Sequence, residues 1–304
     1  MRSRIIFLVG PTGIGKSETA VALAKKIMGE IICCDSMQIY KGMDILTSKP
    51  PIPLRKKVPH HLIDFVPVSK EYDVSKYRRL ALKKIKELIK KKKLPILVGG
   101  TGLYMSILVD GIFSFKTANK EIRKRLYKEA QSRGSIYLHN RLKRVDPEAA
   151  IKIHPNDTKR IVRALEVFEA TGKPISYMQK RRKGLAQNYD VRIFCLNMEL
   201  EKLYKRIDQR VEQMFARGLI GEAKNLLKSK LSRTARFAIG IRELKGYFDA
   251  EFDLERAKSL IKRNTRLYAK RQLTWFRKDK RIKWINLSGR EKPNEIAERI
   301  LSLA

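Results

Sequence analysis

Near its amino terminus the chain carries GPTGIGKS, Gly10 to Ser17, which satisfies the spacing G-x-x-x-x-G-K-[ST]. That spacing wraps successive backbone N–H groups and the start of a helix around a phosphate chain. Gly13 and Gly15 let the backbone approach the oxygens, Lys16 supplies a point charge, and the Ser17 hydroxyl is suited to hold Mg²⁺. Such a P-loop specifies a polyphosphate and leaves the reaction open, because kinases, ATPases and GTPases share it. No N-K-x-D guanine signature occurs. The strand-like runs PILVGG (Pro95 to Gly100) and VRIFCLN (Val191 to Asn197) end without an acid, whereas EIICCD ends in Asp35. Asp35 thus lies at a strand C-terminus, where open α/β sheets bind ligands. There a carboxylate is suited to support Mg²⁺ through water, to act as a general base, or to cap a turn.

Positioning these residues requires alternating strands and helices. Arg4 to Gly10 reads as a buried strand, Ser17 to Met28 as a helix and Glu30 to Asp35 as a second strand, which together make a βαβ unit. The spacing of Tyr77, Ala81, Ile85 and Leu88 predicts an amphipathic helix from about Val74 to Lys92. Pro95 follows it, and Ile96-Leu97-Val98 before Gly99-Gly100 reads as a third buried strand. From about Thr117 to Asp190 basic helical segments dominate and no buried strand is evident. The clearest of these helices starts at Asn156-Asp157, buries Ile161, Leu165 and Phe168, and ends at Gly172 and Pro174. Val191 to Asn197 reads as a strand returning to the sheet, and the next helix carries Leu203, Ile207, Val211, Met214 and Phe215 on one stripe before Gly218. The expected fold is α/β: a P-loop NTPase-like parallel sheet flanked by helices. Its core is expected in two parts, 1–116 and 191–304, separated by a helical insertion at 117–190.

The composition narrows the partners. A chain of 304 residues with 68 Lys+Arg against 31 Asp+Glu has a formal net charge of +37, which makes nucleic acid the leading partner. With 43% hydrophobic residues a packed core is expected, and wholesale disorder is excluded. Cys33, Cys34 and Cys195 are an odd count with two adjacent, which points to small buried residues in a reducing, cytoplasmic interior. Neither they nor His60, His61, His139 and His154 have zinc-site spacing, so any metal should be a hard cation. No apolar run approaches the roughly 18 residues of a membrane span. Ile5 to Val9 is too short for a signal peptide and stops at Gly10-Pro11.

Seven blocks in order carry a resemblance over nearly the whole chain: GPTGIGKS, DSMQIYKGMDILTSKP (Asp35 to Pro50), PHHLID (Pro59 to Asp64), LVGGTGLY (Leu97 to Tyr104), HPNDTKRIVRALEV (His154 to Val167), IGIREL (Ile239 to Leu244) and TRLYAKRQLTWFR (Thr265 to Arg277). Together they resemble the tRNA dimethylallyltransferase family, also called tRNA isopentenyltransferase. The chain ends at Ala304 without the zinc-binding segment that eukaryotic members often add, so it resembles the bacterial form. The resemblance implies transfer of dimethylallyl from dimethylallyl diphosphate to the exocyclic N6 amine of the adenosine just 3′ of the anticodon, with release of diphosphate. It implies that Gly10, Pro11, Thr12, Gly13, Ile14, Gly15, Lys16 and Ser17 hold the diphosphate, with Mg²⁺ at Ser17, and that Asp35 takes the amine proton. It implies that Ser36, Met37 and Gln38 continue the same loop against the target base. Thr101 is by itself a helix-capping type; the resemblance adds a place near the reacting amine and the leaving group. Arg123 and the segment Lys159, Arg160, Ile161, Val162 and Arg163 match positions that contact tRNA. A monomer is expected, acting on the anticodon stem-loop of tRNA and not on a membrane.

Other features carry less. His60 and His61 read as turn packing beside the pocket and receive no catalytic role; Arg266, Lys270 and Arg271 are suited to meet phosphates. Trp275 and Phe276 are expected in the core, and Lys90 to Lys93 complement a helix dipole. The rival readings are a P-loop kinase using ATP on a small acceptor or RNA end, an RNA-binding nucleotide switch, and an enzyme that prenylates free adenine nucleotides. The large insertion and the net charge count against the last.

Overall fold

Six parallel strands form one sheet: β1 (Arg4–Val9), β2 (Gly29–Cys33), β3 (His60–His61), β4 (Leu94–Gly99), β5 (Asp190–Met198) and β6 (Ile282–Leu287), in the order β3-β2-β4-β1-β5-β6. The computed structural model describes residues 2–113 and 120–304. β1 has buried residues from Ile5 through Val9, as a strand covered on both faces requires. On one face Ile6, Leu8, Ile96, Val98, Phe194 and Leu196 meet the helix Lys16–Lys26, the helix Leu254–Phe276 and the C-terminal helix Pro293–Ser302. The helix Val74–Lys90 buries Tyr77, Ala81, Ile85 and Leu88, four residues on one stripe. Tyr77 stacks on Tyr104 of the helix Gly102–Val109 and donates its hydroxyl to the Cys33 carbonyl at 3.0 Å, which fixes this helix against the end of β2.

Two strands extend the sheet beyond what apolar runs predict. β3 has two histidines paired with Ile31 and Ile32, and His61 Nε2 lies 2.7 Å from Glu30. β6 is an edge strand whose burial alternates, with Lys283 and Asn286 exposed, so it lacks the continuous apolar signature of β1. Trp275 departs from the expected core placement: Phe276 is fully buried, but Trp275 is 37% exposed and lies against Gly102. Adjacent helical residues point about 100° apart, so one of the pair faces the sheet and the other faces out.

The described residues divide into two units, Met1–Val109 with Asn188–Ala304, and Asp110–Gln187. The second has helices at Lys120–Arg133, Ser135–Val145, Pro147–Lys152, Thr158–Thr171 and Ile175–Lys180, and no strand among its described residues. The boundary expected at Thr117 lies outside the described residues. Asp157 caps the helix Thr158–Thr171 by accepting from the Arg160 N–H at 3.1 Å, and Gly172 ends it at φ 67°. Ile161, Leu165, Leu126, Leu138 and Leu142 form this unit's core. No helix among the described residues is long and apolar enough to cross a membrane.

The ends of β2 and β4 approach so closely that a Cβ on Gly99 would sit 2.0 Å from the Cys34 carbonyl oxygen. Gly99→Ala forces backbone apart where neither side is free to move, so a loss of about 3 kcal/mol is expected in urea unfolding. An unchanged unfolding midpoint would show that the two ends have slack.

Candidate active site

A cavity of about 740 Å³ opens at the C-terminal ends of the strands in the first unit, with Thr12, Gly13 and Gly15 to Ser17 on one wall and Asp35 to Gln38 on another. Gly13 and Gly15 have φ of 82° and 95°, values that L side chains resist, and the helix Lys16–Lys26 begins at Gly15 with no side-chain cap. Its first-turn N–H groups are therefore left for a ligand, as an anion site requires. Gly10, Pro11 and Ile14 are buried behind the loop and do not line the cavity, so what they offer is backbone placement. Lys16 Nζ donates to the Pro11 carbonyl at 2.7 Å. Burial pushes the Lys16 ammonium down to about 8, against the opposing pull of Asp35 and with Arg210 adding to the fall.

Asp35 caps a turn with one carboxylate oxygen and leaves the other toward the cavity. Its Oδ1 accepts from the N–H groups of Met37 at 2.9 Å and Gln38 at 3.3 Å, an Asx-type turn that shapes the loop. Its Oδ2 has no hydrogen-bond partner among the described residues, and the side chain lines the cavity. Thr101 does not line the cavity. Its Oγ1 accepts from the Ser36 N–H at 3.0 Å and donates to Ser36 Oγ at 3.3 Å, tying the loop after β4 to the loop after β2. Burial drives the thiols of Cys34 and Cys195 up to about 12 and raises Cys33 as well, so all three are inert apolar groups.

Four wall residues escaped the sequence reading. Gln272 sits at a buried position of the helix Leu254–Phe276, between Ala269 and Phe276 on one stripe. Its Oε1 accepts from the Thr12 N–H at 2.9 Å and its Nε2 donates to the Gly100 carbonyl at 2.8 Å, so one amide joins the phosphate loop to the end of β4. Tyr268, one turn earlier, lines the same cavity; burial and the nearby Asp35 hold its phenol well above the usual value, so it stays protonated. Arg206 and Arg210 belong to the helix Leu200–Ala216, each preceding a residue of the buried stripe, Ile207 and Val211. Arg210 donates to Thr12 Oγ1 at 3.2 Å and to Ser48 Oγ at 2.9 Å. A glutamine in an apolar stripe and two arginines four apart beside one were the available signals.

The second unit assembles its own cationic cluster. Glu166 is fully buried and receives Arg123 at 2.9 Å and Arg163 at 3.1 Å, both of which keep their guanidinium side chains partly exposed. Two cations on one carboxylate leave net positive charge. Lys159 and Arg160 are exposed, whereas Ile161 and Val162 are 0% and 1% exposed. Helical periodicity turns the side chains of Ile161 and Val162 into the core and leaves the cations outside. Arg271 lines the cavity in the first unit, while Arg266 lies 3.5 Å from Asp208.

The donor set suits Mg²⁺ more than zinc or calcium. Ser17 and Asp35 open into one cavity, and no group of three His, Cys, Asp or Glu that could hold a metal is present among the described residues. Mg²⁺ commonly takes few protein oxygens and completes its shell with phosphate and water.

A family model described as IPP transferase matches residues 38–279. A tRNA dimethylallyltransferase of Halothermothrix orenii is 46% identical over 94% of this chain and 88% of its own, and one of Carboxydothermus hydrogenoformans is 46% identical over 100% and 98%. The crystal structure of a full-length tRNA isopentenylpyrophosphate transferase from Bacillus halodurans is similar with a TM-score of 0.74 at 38% identity, covering 100% of this chain and 96% of that one. A eukaryotic dimethylallyltransferase acting on tRNA has a TM-score of 0.83 at 30% identity, covering 98% and 77%.

Gln272→Met keeps the side chain's length and removes both bonds. Two backbone groups lose partners at a mostly buried position, so a loss of about 2 kcal/mol is expected in chemical denaturation; wild-type stability would mean water replaces the amide at no cost.

Proposed function

This chain belongs to the IPP transferase family, and from that premise we propose that it moves a dimethylallyl group from dimethylallyl diphosphate to the N6 amine of the adenosine immediately 3′ of the tRNA anticodon, releasing diphosphate. The observation that carries the reading is one cavity in which a phosphate-cradling loop faces a carboxylate oxygen with no other partner among the described residues. The bond from the allylic carbon to the diphosphate oxygen breaks as the bond to N6 forms, and the amine proton leaves. Negative charge grows on the departing diphosphate, where the P-loop N–H groups, Lys16, Arg206 and Arg210 are placed to stabilise it. The adenine amine is a weak nucleophile because its lone pair is delocalised into the ring. Asp35 Oδ2 is the group placed to accept its proton, while Oδ1 holds the loop still.

Ser17 would hold Mg²⁺ against the diphosphate oxygens, and the ion would supply further charge neutralisation there. The anticodon stem-loop is the RNA element this chemistry reaches, since an extruded base in a single-stranded loop exposes its amine. Arg123, Lys159, Arg160 and Arg163 of the helical unit supply cations for its phosphates. In this reading the enzyme works as a cytoplasmic monomer, a compartment that three buried thiols support. The kinase alternative uses the same loop; Val9 of β1 and Gly99 of β4 lead into no acid, and Glu199 directly after β5 is exposed and pairs with Lys202, so Asp35 is the strand-end acid that lines the cavity.

Protein, Mg²⁺ and unmodified tRNA mixed with labelled dimethylallyl diphosphate should yield labelled tRNA, whereas γ-labelled ATP should not; label arriving from ATP would establish the kinase instead. Asp35→Asn is expected to slow single-turnover transfer by roughly 10² to 10⁴ while tRNA affinity stays within a few fold, as loss of a general base predicts. The Lys16 ammonium adds a pH signature. Below about 8 the free protein already has the charge; above it, binding diphosphate must first restore the proton. Donor affinity measured by calorimetry should therefore be level below that pH and fall by up to about tenfold per unit above it, and Lys16→Met should abolish the titration.

A further inference from the structure

We propose that Lys49 and Glu222 are positioning residues that hold the target-base wall of the cavity at its working distance from the diphosphate wall. The inference rests on the transfer reaction proposed above. The segment between β2 and the short helix Ile52–Lys57 has no strand or helix of its own, yet both its ends line the cavity: Asp35 to Gln38 at the start and Leu46 to Pro51 at the finish. A loop that long is conformationally expensive to hold in one shape without internal ties.

Lys49 is one such tie. Its side chain is 1% exposed, and its Nζ donates to the Tyr40 carbonyl at 2.6 Å, Asp44 Oδ1 at 2.9 Å and Asp64 Oδ1 at 2.6 Å. All three donor positions of one ammonium are thus used within the loop and at Asp64, in the bend after β3. Glu222 is the other, reaching in from the helix Leu219–Leu227. Its carboxylate accepts the consecutive N–H groups of Asp44 at 3.0 Å, Ile45 at 2.8 Å and Leu46 at 2.7 Å. Charged acceptors bonded to backbone N–H groups are the stronger class of hydrogen bond.

The Lys49 ammonium and the Glu222 carboxylate bond inside the loop and act on the cavity wall through two chains of contacts. Gln38 Nε2 donates to the carbonyls of Thr47 at 3.2 Å and Ser48 at 3.3 Å, so the finish of the loop sets the place of its start, next to Asp35. Ser48 precedes Lys49, sits at φ 47°, and its Oγ receives Arg210, which in turn bonds Thr12 of the phosphate loop. The tie points are therefore common to the base-facing and phosphate-facing walls. Small errors in the placement of reacting groups cost on the order of 10²-fold in rate, which is the scale on which such ties matter.

The experiment measures three quantities on full-length protein: transfer rate, amide exchange and affinity for inorganic pyrophosphate. Glu222→Gln retains the shape of the side chain and removes its charge; Lys49→Met retains the stem and removes the ammonium, and the double variant Lys49→Met/Asp64→Asn also removes a carboxylate left without its partner. Each is compared with wild type for single-turnover dimethylallyl transfer at saturating tRNA and donor, and for amide hydrogen exchange across residues 36–48. The expected result is a rate at least tenfold lower, inorganic pyrophosphate affinity within about threefold, and faster exchange at both Asp44 to Leu46 and Met37 to Gln38. Folded variants that transfer at the wild-type rate overturn the proposal, whether or not exchange quickens. So does a slow variant whose loop exchanges as wild type does. A wild-type protein that transfers nothing to tRNA would instead bring down the transfer reaction itself, and the positioning role with it.

Discussion

The site depends on one steric constraint, the near-contact of the β2 and β4 ends at Cys34 and Gly99. Because no Cβ fits between them, the loops leaving these strands run side by side, and Thr101 Oγ1 reaches the Ser36 N–H. From there the order is transmitted outward. Gln272 joins Gly100 to Thr12, so the end of β4 also sets the phosphate loop beyond β1. Three strand ends that are neighbours in the sheet become one rigid rim. A reaction that needs a leaving group and a proton acceptor held on opposite sides of a substrate needs such a rim.

Electrostatics divide the cavity in a way that fits its chemistry. The phosphate side gathers Lys16, Arg206 and Arg210 around backbone N–H groups, whereas the opposite wall presents a single carboxylate, Asp35. Lys16 lies close enough to feel Asp35, yet burial dominates its titration. The Pro11 carbonyl satisfies the ammonium from below, and a multiply charged ligand above it would restore its full charge. The same helix that supplies Arg206 and Arg210 buries Leu203, Ile207, Val211 and Met214, so hydrophobic packing aims the cations.

The helical unit also holds its surface cations by means of burial. Long cations on a surface helix are mobile and singly weak. Buried Glu166 holds Arg123 and Arg163 in a shared geometry while leaving excess positive charge at the surface. The exposed Lys159 and Arg160 extend that surface, and the buried Ile161 and Val162 anchor the helix that bears them.

Much of this was legible in the linear chain. The phosphate loop, Asp35 at the end of β2, the apolar runs of β1, β4 and β5, and the stripe of Tyr77, Ala81, Ile85 and Leu88 all follow from local spacing, because backbone turns and helical or strand periodicity are properties of neighbouring residues. The edge strands β3 and β6 were not legible, since neither has a continuous apolar run and both are defined by pairing with distant partners. Trp275 and Phe276 look alike as a sequence, and only the sheet decides which one is covered. Which oxygen of Asp35 would be engaged, the reach of Gln272 across 260 residues to Thr12, and the hold of Glu222 on Leu46 were settled by tertiary structure alone. Those contacts join segments far apart in the chain, and their geometry exists only after burial has fixed each segment's orientation.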